Sequence, residues 1–356
     1  MSTLFSPLKI KSIELKNRLI MSPMCQYSAI DGMPTDWHYQ HYVSRAIGGV
    51  AAIIQEATAV NPEGRISYGD LGLWNESQAH AYKIINNAIE MNGCVPGIQI
   101  AHAGRKASCE IAWKGSLQLK EGPNSWQTVA PSAIPFHEKD ITPHALSVEE
   151  IQQVVADFKK TALLALNAGF KILEIHGAHG YLIHEFYSAY SNKRTDAYGG
   201  SFDNRVRFLL EIVDAINEVW PSEYPLFVRI SATDWIEDAE GWKLEDSIQL
   251  ARLLKAKGVD LIDTSTGANV RKAHIPVAPN YQVPFAAAIK KEAEMMTGAV
   301  GLIKDAITAE KILDDKAADL IFIGRALLSN PYLPLAFAKE LNEDTVKWPV
   351  QYERAK

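Results

Sequence analysis

Two imidazoles and a phenol fall within six residues, His176-Gly177-Ala178-His179-Gly180-Tyr181, directly after the apolar run Ile172, Leu173 and Ile175. A β-branched run of that kind reads as a buried strand, so the polar groups stand where a strand ends. Imidazole and phenol are side chains that donate hydrogen bonds and protons to a reacting group. Gly177, Ala178 and Gly180 leave room for something to approach the backbone. Spacing alone leaves other readings open. His-x-x-His can be a pair of hydrogen-bonded core residues. It can also belong to a metal centre, but zinc takes three or four ligands. No cysteine or carboxylate here has metal-like spacing, so no metal is expected.

Other residues raise their own questions. Arg229 interrupts the apolar run Phe227-Val228-Arg229-Ile230. A buried guanidinium is costly unless something negative or strongly polar meets it. Its partner is either Glu174 on the neighbouring strand or a ligand. Cys25 and Tyr27 sit in Ser22-Pro23-Met24-Cys25-Gln26-Tyr27. A cysteine near two histidines could be a hydrolase nucleophile, although no Asp or Asn follows where a third member would stand.

The elements that must position these groups alternate. Strands are expected at Leu19–Met21, Ala51–Ala57, Val95–Ala101, Ile172–His176, Leu226–Ser231, Leu261–Ser265, Ala299–Val300 and Leu320–Gly324, with amphipathic helices between them. The clearest helix opens at the capping pattern Ser147-Val148-Glu149-Glu150, shows Ile151, Val154, Val155, Phe158, Ala162 and Ala165 on one face, and stops at Gly169. Eight such units predict a (β/α)8 barrel of the TIM type, with chemistry at the carboxyl ends of the strands. The candidate polar residues fall at or near those ends. Two stretches break the alternation: residues 107–146, after strand three, and residues 266–282, after strand six. Long irregular loops of this kind are usually lids or covers.

Composition narrows the classes. A chain of 356 residues with 47% hydrophobic and 22% charged residues is ordinary for a globular protein, and α/β barrels of this length form one domain. A net charge of −6 gives no argument for nucleic acid. The amino-terminal stretch lacks an uninterrupted apolar core, and no apolar run approaches the roughly 18 residues of a membrane helix. Three cysteines (Cys25, Cys94 and Cys109) form neither a disulfide framework nor an iron–sulfur set. A cytoplasmic protein with reduced thiols is expected.

The segment 170–205, with Ser191-Asn192-Lys193-Arg194-Thr195-Asp196-Ala197-Tyr198-Gly199-Gly200-Ser201 and Asn204-Arg205 after the histidines, closely resembles the Old Yellow Enzyme family of flavin-dependent ene-reductases. Met24-Cys25-Gln26-Tyr27, Ala101-His102-Ala103-Gly104-Arg105-Lys106 and Pro349-Val350-Gln351-Tyr352-Glu353-Arg354 resemble its thermophilic-like bacterial branch. The resemblance implies one FMN-binding barrel over residues 1–356, with NADPH or NADH as hydride donor and an activated alkene as acceptor in a ping-pong cycle. It implies flavin contacts from Ser22, Pro23, Met24, Cys25, Ala57, Gln99 and Arg229, and a phosphate cradle at Gly301, Gly324 and Arg325. His176 and His179 would bind the substrate carbonyl or nitro oxygen, Tyr181 would protonate carbon, and Tyr27 would touch substrate. A homodimer or homotetramer is implied, in which the tail at 346–356 carries Arg354 into the neighbouring subunit's site. An iron–sulfur reductase would need a four-cysteine cluster and a second nucleotide domain. A flavin-free lyase or aldolase would need a Schiff-base lysine on a strand core, and no lysine is expected there. A non-catalytic flavin carrier is the remaining alternative.

Overall fold

The computed structural model describes residues 2–237 and 240–356. Eight strands, Leu19–Met21 (β1), Ala52–Ala59 (β2), Val95–Ala101 (β3), Ile172–Gly177 (β4), Leu226–Ser231 (β5), Leu261–Ser265 (β6), Met296–Ala299 (β7) and Leu320–Ile323 (β8), pair in parallel and in chain order into a closed barrel. Helices cover its outside, including Asp36–Ile47 (α1), Glu76–Met91 (α2), Val148–Asn167 (α3), a short Leu182–Tyr187 (α4) and Phe202–Asn217 (α5). The α3 start is capped as its sequence predicts: the Ser147 side chain accepts from the Glu150 amide, and the expected apolar face is buried.

Three departures have physical causes. β7 runs over Met296–Ala299, not Ala299–Val300. Gly298 hides that strand in the sequence, because glycine carries no strand signal. It is there because a Cβ would stand 2.3 Å from the Phe322 ring. β2 extends past Ala57 to Ala59 by way of a register shift between Gln55 and Thr58. Bulges of this kind re-aim residues beside active sites; here Glu56 and Ala57 fall within the shift. The third is an unforeseen hairpin, Leu8–Ile10 with Ile13–Leu15. Its Ile10 and Leu15 pack with Ile20, Ile54, Phe227 and Phe322 to plug the end of the barrel opposite the strand carboxyl ends.

Residues 107–146 contain a short 3-10 turn at Ala112–Lys114 and the two-residue pairing of Val129–Ala130 with His144–Ala145. Residues 266–282 run without helix or strand.

Candidate active site

β4 delivers the histidines and the chain then turns sharply. The Tyr181 amide donates to the Ala178 carbonyl at 3.2 Å, and both central residues, His179 (φ +60°) and Gly180 (φ +71°), are left-handed. That is the geometry of a type I′ turn. Glycine adopts it freely, whereas a histidine there is strained by of order 1 kcal/mol. Gly180 also has no room for a side chain, since a Cβ would lie 2.5 Å from the Ala268 carbonyl oxygen. The turn is clamped by its surroundings. The His179 amide donates to Ser231 Oγ (2.9 Å), the Gly180 amide to His184 Nδ1 (3.0 Å), and Lys106 Nζ donates to the His179 carbonyl (2.9 Å).

The rings this turn presents are close and mutually perpendicular. His176 and His179 have centroids 5.1 Å apart at 89°, and His176 and Tyr181 are 5.0 Å apart at 87°. His176 Nδ1 accepts from the Ala178 amide at 3.2 Å, so its proton sits on Nε2. His179 Nε2 lies 2.7 Å from Ser265 Oγ, and that hydroxyl also accepts from Gln282 Nε2 at 3.2 Å. With the Ser265 proton directed to His179 Nε2, the His179 ring proton lies on Nδ1. Burial, and then the positive charge of Arg229, hold both imidazoles well below their usual pKa. Each is therefore a neutral hydrogen-bond donor. The Tyr181 phenol is pushed up, by burial first and by the Cys25 thiol second, so it keeps its proton.

Beneath the histidines lies a buried charge cluster. Within the chain the ion-pair partner of Arg229 is Asp263 on β6, with Nε 3.0 Å from Oδ2, and not Glu174, the protein partner that the sequence left open beside a ligand. Register decides this, because Asp263 is directly opposite Arg229, whereas Glu174 on β4 sits opposite Phe227. Glu174 accepts from Gln99 Nε2 at 2.7 Å. Burial, and then the Asp263 charge, push the Glu174 carboxyl well up. With one guanidinium between two buried carboxyls, Asp263 carries the charge and Glu174 keeps its proton. Arg229 Nε and both Asp263 oxygens lack a well-directed hydrogen bond.

A cavity of about 470 Å³ opens over this cluster. Ser22, His179, Arg229, Gly301, Gly324 and Arg325 line it together, with Gln282 and Lys304 beside them. That volume suits a small cofactor. Gly301 (φ +119°) has its would-be Cβ 3.1 Å from the Gln282 amide nitrogen, so only glycine serves there. Two cations beside glycine backbone fit a phosphate, and Arg229 fits an electron-rich ring edge. The residues present therefore fit FMN. Met24 closes on the same region, its sulfur 3.6 Å from where a Gly324 Cβ would stand.

The loop after β1 is held from behind by Glu56. Its Oε2 accepts from the Gln26 amide (2.6 Å) and its Oε1 from the Tyr42 hydroxyl (2.8 Å). Cys25 is a free thiol. Burial, then the Asp70 and Glu56 carboxyls, push the thiol well up. A thiol held protonated is a poor nucleophile, which argues against the hydrolase reading. Tyr27, itself left-handed (φ +49°), lines a second cavity of about 240 Å³ with Tyr181, Lys106, Leu117 and Phe136.

One candidate stands apart. Arg354 is exposed in a 3-10 helix over Val350–Ala355, and it lines neither cavity of its own chain. Sequence reasoning also passed over residues that the fold brings in. Asp263 is a charge in an apolar strand, the same sign that marked Arg229. Lys106 stood in a quoted motif without a role. It donates to the His179 and Ala268 carbonyls and lies over the Tyr181 and Phe136 rings. His184, the third histidine of the run, was not singled out.

Comparison with known proteins matches the chain to flavin oxidoreductases. The model of the NADH:flavin oxidoreductase / NADH oxidase family matches residues 3–344. An NADPH dehydrogenase of Bacillus subtilis (strain 168) is 49% identical over 353 residues, 99% of this chain and 98% of that one. Among solved structures, a morphinone reductase N189A mutant in complex with tetrahydroNAD has a TM-score of 0.78 at 29% identity, covering 95% of this chain and 90% of that chain. A 2-naphthoyl-CoA reductase complex has a TM-score of 0.86 at 27% identity; the match covers 95% of this chain and 52% of the other.

Proposed function

The chain belongs to the NADH:flavin oxidoreductase / NADH oxidase family, and on that footing we propose that it is an ene-reductase of the Old Yellow Enzyme type. FMN and NADPH are its cofactors, and its acceptors are activated alkenes: α,β-unsaturated ketones and aldehydes, maleimides and nitro compounds. The observation that carries this reading is the convergence of two neutral imidazole donors and a protonated phenol beside a cavity that has Arg229 at its edge.

FMN, when bound, supplies a hydride acceptor and donor. The chain's own residues do the rest. Arg229, free to give its remaining N–H groups to a ligand, offsets negative charge that develops at the pyrimidine edge. His176 and His179 donate to the substrate carbonyl or nitro oxygen, which draws electron density from the β-carbon. Tyr181 holds a proton that a carbanion-like α-carbon, far more basic than a phenolate, can take. Gln99, Pro23, Met24, Cys25 and Ala57 complete the flavin surround, and Tyr27 faces substrate. We place the chain in the thermophilic-like branch, as a cytoplasmic homodimer or homotetramer that shares its sites through Arg354. Among the described residues no helix is long and apolar enough to cross a membrane.

The test is spectroscopic. Purified protein should be yellow, bleach anaerobically with NADPH, and recover colour on adding 2-cyclohexenone. Flavin released by heat should run as FMN; FAD would overturn the cofactor assignment. A colourless protein would revive the lyase reading, and a yellow one inert to NADPH would indicate a flavin carrier.

A further inference from the structure

We propose that His184, backed by Asp234, is a positioning residue that holds the Ala178–Tyr181 turn in its strained form and so sets the aim of His179 and Tyr181. The inference rests on the reading of the site given above and adds a residue to it.

The geometry is specific. His184 lies on α4, wholly buried, with its ring stacked on Tyr187 at 4.6 Å and 23°. Its Nδ1 accepts the Gly180 amide at 3.0 Å. A nitrogen that accepts carries no proton, so the ring proton belongs to Nε2. Nε2 stands 2.9 Å from Asp234 Oδ1 with both side chains fully buried, a close charge contact without a well-directed hydrogen bond. Asp234 is fixed in turn by the Ser188 hydroxyl (2.6 Å) and the Trp242 amide (3.0 Å) on its other oxygen. Burial alone would raise the Asp234 carboxyl, but the facing His184 and these donors outweigh it and hold it low, so it stays ionised. The facing carboxylate favours the proton on Nε2, which leaves Nδ1 to accept the Gly180 amide.

The turn needs such a hold. Its two central residues are left-handed, and one of them is a histidine. Of its three clamps, Ser231 fixes the His179 amide, Lys106 the His179 carbonyl and His184 the Gly180 amide. Without His184 the Gly180 amide is buried and unpaired. The cheapest relief is for the Ala178–Tyr181 turn to flip toward a glycine-tolerated alternative, which swings the His179 and Tyr181 side chains together. His184 therefore acts through its neighbours on substrate binding, while the cofactor cradle at Gly301, Gly324 and Arg325 lies past the ends of β7 and β8.

The experiment compares FMN-loaded His184→Phe, His184→Asn and Asp234→Asn with the parent enzyme and with His179→Ala. The probe is 4-hydroxybenzaldehyde, read by its perturbation of the flavin spectrum, followed by reoxidation with 2-cyclohexenone in stopped flow. His184→Phe should weaken probe binding and slow reoxidation roughly tenfold each, the worth of one lost hydrogen bond. His184→Asn places an amide oxygen near the Nδ1 position and should recover most of both; a merely structural role would give no such rescue. Asp234→Asn, which frees the tautomer, should fall between. If His184→Phe does not fold, the Asn variants decide: values equal to the parent in Asp234→Asn, or no better than His179→Ala in His184→Asn, overturn the proposal. Parental values in all three variants also overturn it. If His179→Ala binds the probe normally, the reading of the site itself fails, and that outcome is distinct from the others.

Discussion

At the scale of single residues, the site is built from groups whose ordinary charge has been removed. The histidines are neutral because burial and Arg229 oppose a second proton, and Glu174 keeps a proton because Asp263 already balances the guanidinium. A neutral donor suits a carbonyl that gains charge only during reaction, since it does not bind the oxygen too early. This gives a pH prediction with a definite sign. The folded histidine pKa values lie well below 6.5, so the rings stay neutral as pH falls through that value. The imidazoles should therefore give reoxidation by 2-cyclohexenone no break near pH 6.5; a sigmoid there that His176→Ala or His179→Ala removes would mean that they titrate normally. His176→Ala or His179→Ala should weaken phenol binding by roughly 1.5–3 kcal/mol, the range for a charge-assisted hydrogen bond to a phenolate. Unchanged phenol affinity in both would remove them from the site.

At the scale of elements, the short helix α4 holds more than its six residues suggest. It contributes His184 to the turn and Glu185 to the chain leaving β3. Glu185 Oε1 accepts from the Arg105 amide at 2.9 Å, and Gly104 (φ +61°) lies so close that a Cβ would stand 2.3 Å from the same oxygen. Burial pushes the Glu185 carboxyl from 4.5 up to about 8, with Arg105 opposing. The folded chain therefore keeps this proton across that window while the unfolded chain releases it. Stability must fall as pH rises from the lower value to the upper one, by at most about 1.4 kcal/mol per pH unit. Glu185→Gln should flatten the melting-temperature profile over that range, with its advantage over the parent growing toward pH 8. Parallel profiles would show that the carboxyl ionises in place. At the second cavity, Gln118 bridges the Arg105 and Ala107 carbonyls (both 3.0 Å) and the Ile141 amide (2.6 Å), which ties the irregular stretch to the end of β3.

At the scale of the whole molecule, the C-terminal segment is the part whose purpose its own chain does not explain. Tyr352 meets Tyr332 edge-on at 5.6 Å and 89°, while Val350 is 75% exposed and Arg354 reaches neither cavity. A segment held by the Tyr352 ring and a Lys356 contact to Asp344, and otherwise exposed, is suited to a neighbouring subunit, and a guanidinium can close a pocket while staying partly hydrated. Deleting residues 350–356 should raise KM for enones and weaken the proposed oligomer, with FMN retained. Parental kinetics and unchanged mass in solution would show the tail to be idle.

Much of this protein is determined locally and is therefore legible in its sequence. The (β/α)8 order follows from alternating apolar periods of two and 3.6 residues. The start of α3 follows from Ser147 and Glu150, and the grouping of candidate residues follows from their places at strand ends. Gly298 shows where local reading stops, since its reason is a ring from β8, not any preference of its own. The partner of Arg229 is a second case: Glu174 and Asp263 lie on strands either side of β5, and only the barrel's stagger puts Asp263 opposite. The third is His184. Its sequence neighbours describe a short buried helix, and nothing local says that its Nδ1 meets Gly180 while its Nε2 faces Asp234, 50 residues away. Hydrogen-bond partners, tautomers and the charge of buried groups depend on what lies across a closed barrel. They exist only once tertiary packing has excluded water and fixed which strand faces which.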